Sequence, residues 1–282
     1  MAARRIPKPV PKFTPYTIAL AHCCALELWN GNDFKSGKPL KVSDFEFIKT
    51  FAIPTHSMLH NPNQNPPPFD EDDIKDLIQV AKMTLVNLAQ PPNDLLHAIS
   101  QYKPHPFDIY KNMKNGTLKL KKYDYPTHAI LAWSDKFVSP QNNGQRMTVA
   151  CRSLFFALPG MYLFNYSRKI SYDYLNLTAN PINAIKTFNH LMYTGLLRNR
   201  TLLNKLPAPF STHSTVAAPV NNKILDEVFR EMLNAQWWQR RVMDIAMLIH
   251  HNPTMIKRKV LQNQANAILS QTLNRKPKVK LI

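Results

Sequence analysis

Between Arg146 and Tyr174 the chain interleaves cations with aromatic rings: Arg146, Arg152, Phe155, Phe156, Tyr162, Phe164, Tyr166, Arg168, Lys169, Tyr172 and Tyr174. Cations neutralise phosphates and flat rings stack unpaired bases, so this mixture suits single-stranded RNA or DNA. Stacking a base on an aromatic side chain is worth roughly 1–3 kcal/mol and depends little on sequence. For any one ring, above all Phe155, Phe156 and Phe164, ordinary core packing is the simpler account. The stretch as a whole stands out because acids are missing from it. From Lys136 to Lys223 there are ten Lys or Arg and one acid, Asp173. From Ile245 to Ile282 there are seven more basic residues and no acid. The formal charge of +18 is therefore concentrated in the later part of the chain, and such a field attracts a polyanion.

Other basic groups are more ambiguous. Lys186 lies on the polar face of a helical pattern, and Arg198, Arg200 and Lys205 follow near its end, where cations also complement the helix dipole. Lys119 and Lys121 share one face of an alternating segment, where lysine also deters edge-to-edge pairing. Trp237 and Arg241 are four apart on a helical pattern, the spacing of a cation–π pair, although core packing explains the tryptophans more simply. The run Lys257, Arg258, Lys259 suits a solvated helix face as well as a phosphate contact.

Enzyme chemistry finds less support. His22, Cys23, Cys24, His56 and His60 bring zinc to mind, and His56 and His60 have one-face helical spacing. Adjacent cysteines are not the usual chelate, however, and Pro54 and Pro62 bracket the histidines. Walker-type loops, GxGxxG, HExxH and GxSxG are absent. A metal-dependent nuclease would place several carboxylates in its basic region, which here holds only Asp173. The expectation is a non-enzyme with no cofactor and no metal.

The elements that position these residues are expected to be helical. A chain of 282 residues with 44% hydrophobic content and four Trp can bury a sizeable core. It has only 6 Gly, which strand-rich folds need for hairpins and bulges, and many of its 23 Pro fall at helix boundaries. Cys23, Cys24 and Cys151 make a poor disulfide framework and point to a reducing compartment. No apolar run approaches the length of a membrane span. The start MAARRIPKPVPKF lacks a secretory apolar region, and Pro7, Pro9, Pro11 and Pro15 would break the amphipathic helix of a transit peptide.

Along the chain, residues 1–15 read as an extended basic arm. Ser43 and Glu46 have capping-box spacing. Asp70 to Asp73 open a helix through Leu88, and further helices are expected from Asn93, after Pro106, and from Pro126. Thr117 to Tyr123 is the one good strand candidate. Val149 to Leu158 reads as a buried helix, and Pro181 starts another through Met192. Leu206 to Pro219 is the best internal loop. One long helix is expected from Asn222 to His250, and a last one from Asn252 and Pro253 to about Leu273.

Three stretches carry a family likeness: DDIKDLI (Asp72 to Ile78), MYLFNYSRKI (Met161 to Ile170) and NPINAIKTFNHLM (Asn180 to Met192). In these, and in its basic helical core between extended arms, the chain resembles the nucleocapsid proteins of segmented negative-strand RNA viruses, those related to phleboviruses above all. The stretches cover roughly a tenth of the chain, in a loose pattern. The Pro-rich start and the long segment after Met192 depart from that family, and motifs of its plant-infecting members are missing. The resemblance implies a helical protein that wraps genomic single-stranded RNA in a positive groove and exchanges an arm with its neighbours.

The resulting expectation is a mainly α protein: a two-lobed helical core with extended N- and C-terminal arms. Residues 1–15 form a basic Pro-rich arm, 16–140 an N-terminal helical lobe, 141–273 a C-terminal helical lobe and 274–282 a basic tail. It binds single-stranded RNA without sequence preference and polymerises on it through the terminal arms, as a viral nucleocapsid protein of the virion and host cytoplasm. A viral polymerase is a further candidate partner. Arg146, Arg152, Arg168, Lys169, Lys186, Arg198 and Arg200 are the expected phosphate contacts, with Phe164 and Tyr166 as stacking platforms. The alternatives are a coat protein of a filamentous plant RNA virus and a host organellar RNA-binding protein.

Overall fold

A computed structural model describes residues 6–40, 42–53, 56, 148, 151–152, 154–160, 162–165, 167, 170–177, 181–210 and 220–273. These residues are mainly helical, and no strand occurs among them; the sole extended pairing they show is an isolated antiparallel bridge between Asn32 and Pro39. The expected elements between Asp70 and Pro140, including the strand at Thr117–Tyr123, lie outside the described residues, as does the tail 274–282.

The first helix, α1 (Pro15–Trp29), follows from local signals. Thr14 is extended (φ −69°, ψ 152°), its hydroxyl accepts from the Thr17 N–H at 3.1 Å, and Pro15 supplies a helical φ at the first position. Ile18 to Ala25 are buried without interruption. A helix apolar on every side belongs in the middle of a protein. α2 (Asp44–Phe47) has the expected cap, Ser43 Oγ accepting from the Glu46 N–H at 3.0 Å, and runs on as a π-type turn at Ile48–Ala52. α3 comprises residues 151–152 and 154–157 and buries Phe155 and Phe156, as its apolar run predicts.

α4 (Pro181–Leu203) starts at the expected proline but extends well past Met192. Ala184, Ile185, Phe188, Met192, Leu196 and Leu203 form its core face. The single long helix expected over 222–250 is in fact two: α5 (Val220–Asn234) and α6 (Trp237–His251). They part at Gln236, which is left-handed (φ 54°). That conformation costs a non-glycine residue roughly 1–2 kcal/mol. The bend offsets it by burying both Trp237 and Trp238, at 0% and 1% exposure. The last helix also begins later than Asn252 and Pro253 suggest. Those residues make a 3₁₀ turn (Pro253–Met255), and α7 runs over Lys259–Ile268, with a π-type turn at Leu269–Leu273.

α1 packs on α6 and α7. Trp29 sits where elements meet, with ring centroids 5.3 Å from Phe45, 5.4 Å from Phe210 and 6.1 Å from Trp237 and Trp238. Ion pairs join distant parts of the chain, among them Arg241 to Asp44 at 2.7 Å and Arg258 to Glu27 at 2.5 Å. Arg258, in the middle of the basic run, is thus used for structure. The described residues of 16–140 and 141–273 share this one core.

Residues 6–14 have no regular secondary structure; Val10 and Phe13 enter that core, and backbone atoms of the segment are hydrogen-bonded to it. The Lys8 N–H donates to the Leu175 carbonyl (2.8 Å), and the Ile6 carbonyl accepts from Asn176 Nδ2 (3.0 Å). The buried Asn199 takes the Phe13 N–H on its Oδ1 (2.9 Å) and donates Nδ2 to the Pro11 carbonyl (3.2 Å). Arg198 Nη1 donates to the Val10 carbonyl (3.1 Å). Val10 and Phe13 are buried at 1% and 2% exposure. Gly195 makes room: a Cβ there would lie 2.4 Å from Val10 Cγ1. The described part of the arm, residues 6–14, is thus seated on its own chain.

Candidate functional site

The side chains most able to do chemistry converge where α2, α3 and α6 meet. There a cavity of about 570 Å³ has a charged floor of Asp44, Arg152, Arg241 and Asp244. Phe34, Leu40, Val42, Phe47 and Leu248 supply its apolar walls, and Thr148, Asn165 and Ser167 add polar groups. The floor is built by local geometry. Arg241 and Asp244 are three apart on α6 and share a face. Asp44 is the first residue of α2, a position that favours an acid, and Arg152 comes from α3.

These four groups are not equally satisfied. Asp44 and Arg241 are each 4% exposed and form a two-pronged pair, Nε to Oδ2 at 2.7 Å and Nη2 to Oδ1 at 3.1 Å. Arg241 also lies 5.8 Å from the Phe156 ring centroid. Arg152 lies at the same distance from that ring, yet its enclosed Nε has no hydrogen-bond partner. Burial lowers the Arg152 pKa to about 10, helped by the like charge of Arg241. Asp244 is 4% exposed; neither oxygen meets a donor in full hydrogen-bonding geometry, though the Asn165 N–H is close enough to favour its charged form. Burial pushes its carboxyl up to about 8, against the pull of Arg241, Arg240, the Asn165 amide and Arg152.

Arg240, next in sequence, has the opposite fate. Its Nε donates to the Ala235 carbonyl (3.1 Å), Nη2 to the Pro159 carbonyl (2.8 Å) and Nη1 to the Leu163 carbonyl. It locks the α5–α6 bend to the segment after α3.

A second polar cluster surrounds the buried His56. Its Nε2 is 2.9 Å from Glu227 Oε2 and its Nδ1 3.5 Å from Glu231 Oε1, with Arg230 and Asn234 nearby. Burial opposes a charge on His56, but the hydrogen bonds and charges of Glu231 and Glu227 overcome this and raise its pKa. His22 is buried and accepts from Trp238 Nε1 at 3.2 Å; burial lowers its pKa to about 4. Cys23, Cys24 and Cys151 are buried free thiols, and burial pushes Cys23 up to about 11 and Cys24 to about 12. Among the described residues no cluster of three or more metal-ligating side chains occurs; His60 lies outside them.

The expected phosphate contacts fall into three sets. Arg152 lines the cavity. Lys186, Arg198 and Arg200 are exposed on α4, none of whose residues lines it. Arg146, Arg168 and Lys169, with the stacking candidate Tyr166, lie outside the described residues. Phe164 is corrected by its burial: it is 1% exposed, and its N–H donates to Asn189 Oδ1 at 3.1 Å, so its ring has no face to offer a base. Trp237 likewise belongs to the core, its Nε1 donating to the Phe155 carbonyl at 2.9 Å, while Arg241 turns to Asp44 and Phe156 instead. Sequence reasoning missed Asp44 and Asp244. The signal available was the lone acid in the apolar run VMDIAMLI of α6, three residues after Arg241.

The described acids and bases are also segregated by depth. Among the acids only Glu46 and Asp173 are well exposed; Asp44 and Asp244 are buried, and Glu27, Asp33, Asp226, Glu227 and Glu231 are partly covered. Lys8, Lys12, Lys35 and Lys38 are exposed in the arm and the loop after α1. Lys49, Lys186, Arg198, Arg200, Lys223 and Arg230 are exposed on helices, as are Lys257 and Lys259 at the start of α7. No helix among the described residues is long and apolar enough to cross a membrane. No protein-family model, curated protein or solved structure matches the chain.

Proposed function

We propose that this protein coats single-stranded RNA, binding its phosphates without sequence preference and assembling along the strand, in the manner of a viral nucleocapsid protein. The observation that carries the reading is the excess of exposed cations over exposed acids. Among the described residues twelve cations are exposed against two acids, Glu46 and Asp173, although Arg240 and Arg241 are buried as Asp44 and Asp244 are, so the described surface carries a basic field. That field attracts a phosphate chain and falls with salt. The outer positions of α4 contribute Lys186, Arg198 and Arg200 on a helix without any acid, 23 residues long and hence about 35 Å, the span of several nucleotides. Assembly would use the arm: its seat recognises mostly backbone atoms, and an identical arm from a second copy satisfies the same groups. Virion and host cytoplasm as location, and a polymerase as partner, follow only from the nucleocapsid reading.

The test is RNA affinity as a function of salt. Each phosphate contact on a single strand contributes about −0.7 to the slope of log K against log salt. Lys186→Glu with Arg200→Glu should flatten that slope by about 1.4 and weaken every RNA sequence alike. Purified protein should also form rings or filaments holding RNA under the electron microscope. A protein that stays monomeric and free of nucleic acid at low salt overturns the reading.

A further inference from the structure

We propose that the cavity between α2, α3 and α6 binds a phosphate ester, with the phosphoryl oxygens between Arg152 and Arg241 and the organic part along Phe34, Leu40 and Phe47. The argument begins with groups whose bonding is incomplete. Buried polar groups are nearly always paired, and leaving a charged one unpaired is expensive. Here Arg152 and Asp244 line one cavity, and the Nε of the first and both oxygens of the second are enclosed without a hydrogen bond among the described residues. Arg152 and Asp244 act on each other through their charges, but no ion pair among those the structure shows joins them.

The inventory of donors fixes the chemistry. Asp44 occupies Nε and Nη2 of Arg241 and leaves Nη1 for another acceptor. Arg152 brings a complete fork of N–H donors. With its pKa near 8, Asp244 is mostly protonated at neutral pH and adds an O–H. Arg240 has turned away to three carbonyls. The floor is therefore rich in donors; Lys35 adds a cation to the lining, and Asp33, whose oxygens accept from the Lys35 and Ser36 N–H groups and the Ser36 hydroxyl, adds an acid already engaged. A carboxylate has two oxygens for these donors; a phosphate has more, in the geometry guanidinium forks match. An anion between Arg152 and Arg241 also removes their mutual repulsion. The cavity, at about 570 Å³, is of the size that holds small organic molecules and has apolar walls, so an ester fits better than the bare ion. The ligand is a free nucleotide-sized ester or one nucleotide of a bound strand; the recognising chemistry is the same, and it does not depend on the RNA reading.

Equilibrium dialysis of the full chain, stripped of nucleic acid in high salt, tests this. The probes are a labelled nucleoside 5′-monophosphate, inorganic phosphate as competitor, and a short single-stranded oligoribonucleotide. The monophosphate should bind at one site and be displaced by phosphate. Arg152→Gln should weaken it about ten-fold or more, the cost of a lost charge-assisted contact. Asp244→Asn should keep the affinity and abolish the loss expected as pH rises through 8, where ionised Asp244 would face the anion together with Asp44 against Arg152, Arg240 and Arg241. Failure of the wild-type protein to take up the monophosphate overturns the site, whether or not any variant folds. So does uptake that Arg152→Gln leaves unchanged. RNA binding by a protein that ignores the monophosphate would sink this site and spare the RNA reading; monophosphate uptake without RNA binding would do the reverse.

Discussion

Arg240 and Arg152 approach the same aromatic layer from two sides, and their surroundings differ completely. Arg240 lies 5.5 Å from the Phe155 ring and spends its donors on three main-chain carbonyls. Arg152 lies 5.8 Å from the Phe156 ring and its Nε is enclosed without a hydrogen-bond partner among the described residues. The first arginine finishes the structure; the second is left unfinished by it. Buried polar groups are as a rule completed within a fold, and that contrast is why the ligand proposed above is placed at Arg152 and not at Arg240.

Four measurements can break or sharpen that contrast. The largest effect is expected from Arg240→Met, which strands three buried carbonyls at the α5–α6 bend. Urea unfolding should show a loss on the order of 3–5 kcal/mol. A loss under about 1 kcal/mol would mean the clamp is dispensable. Next is Gly195→Ala, which drives a Cβ into Val10. It should cost about 1–3 kcal/mol and expose residues 6–14 to protease, while an arm still protected would show that its seat tolerates crowding.

The third effect is a pH dependence. The native carboxyl of Asp244 keeps its proton up to about pH 8, whereas the unfolded chain releases it near the ordinary value of 3.8. Across that window the native state holds the extra proton, so stability should fall as pH rises. His22 acts oppositely: native imidazole stays neutral down to about pH 4 while the unfolded one protonates below 6.5, so stability should also fall on acidification between those values. Melting curves of Asp244→Asn should lose the first slope and keep the second. The smallest effect belongs to Arg152→Met: no hydrogen bond is lost and repulsion from Arg241 is relieved, so stability should change by less than about 1 kcal/mol. A large loss would place Arg152 with Arg240 and erase the distinction between them.

Deleting residues 1–15, by contrast, should lower stability directly, because Val10 and Phe13 are part of the core and Thr14 caps α1. An arm read from sequence alone as a free appendage would predict only a change in oligomer size.

What was legible in the sequence was what neighbouring residues decide. Ser43 with Glu46, and Pro181, announce their helices through local hydrogen bonding and backbone sterics. α1 carried a cap and a proline but no polar face, so no periodic stripe betrayed it, and its His22 and Cys pair suggested metal chemistry instead. The break at Gln236 lacks the usual glycine; the tryptophans that follow demand the bend in order to be buried. The cavity was least legible, since Asp44 and Arg241 are 197 residues apart and no spacing rule connects them. Of the expected surface cations, Lys186, Arg198 and Arg200 stayed outside because α4 turns its apolar face inward, while Arg152 is partly buried in the lining of the cavity.

The clasp between Phe13 and Asn199 spans 186 positions of sequence. A ribosome adding roughly 5–20 residues per second needs about 10–40 s between making the two ends of that bond. α1 meanwhile emerges with apolar side chains on every side and must wait as long for α6 and α7. The nascent chain therefore spends its synthesis with its most hydrophobic helix uncovered, a natural client for a chaperone, and closure of the arm is among its last events.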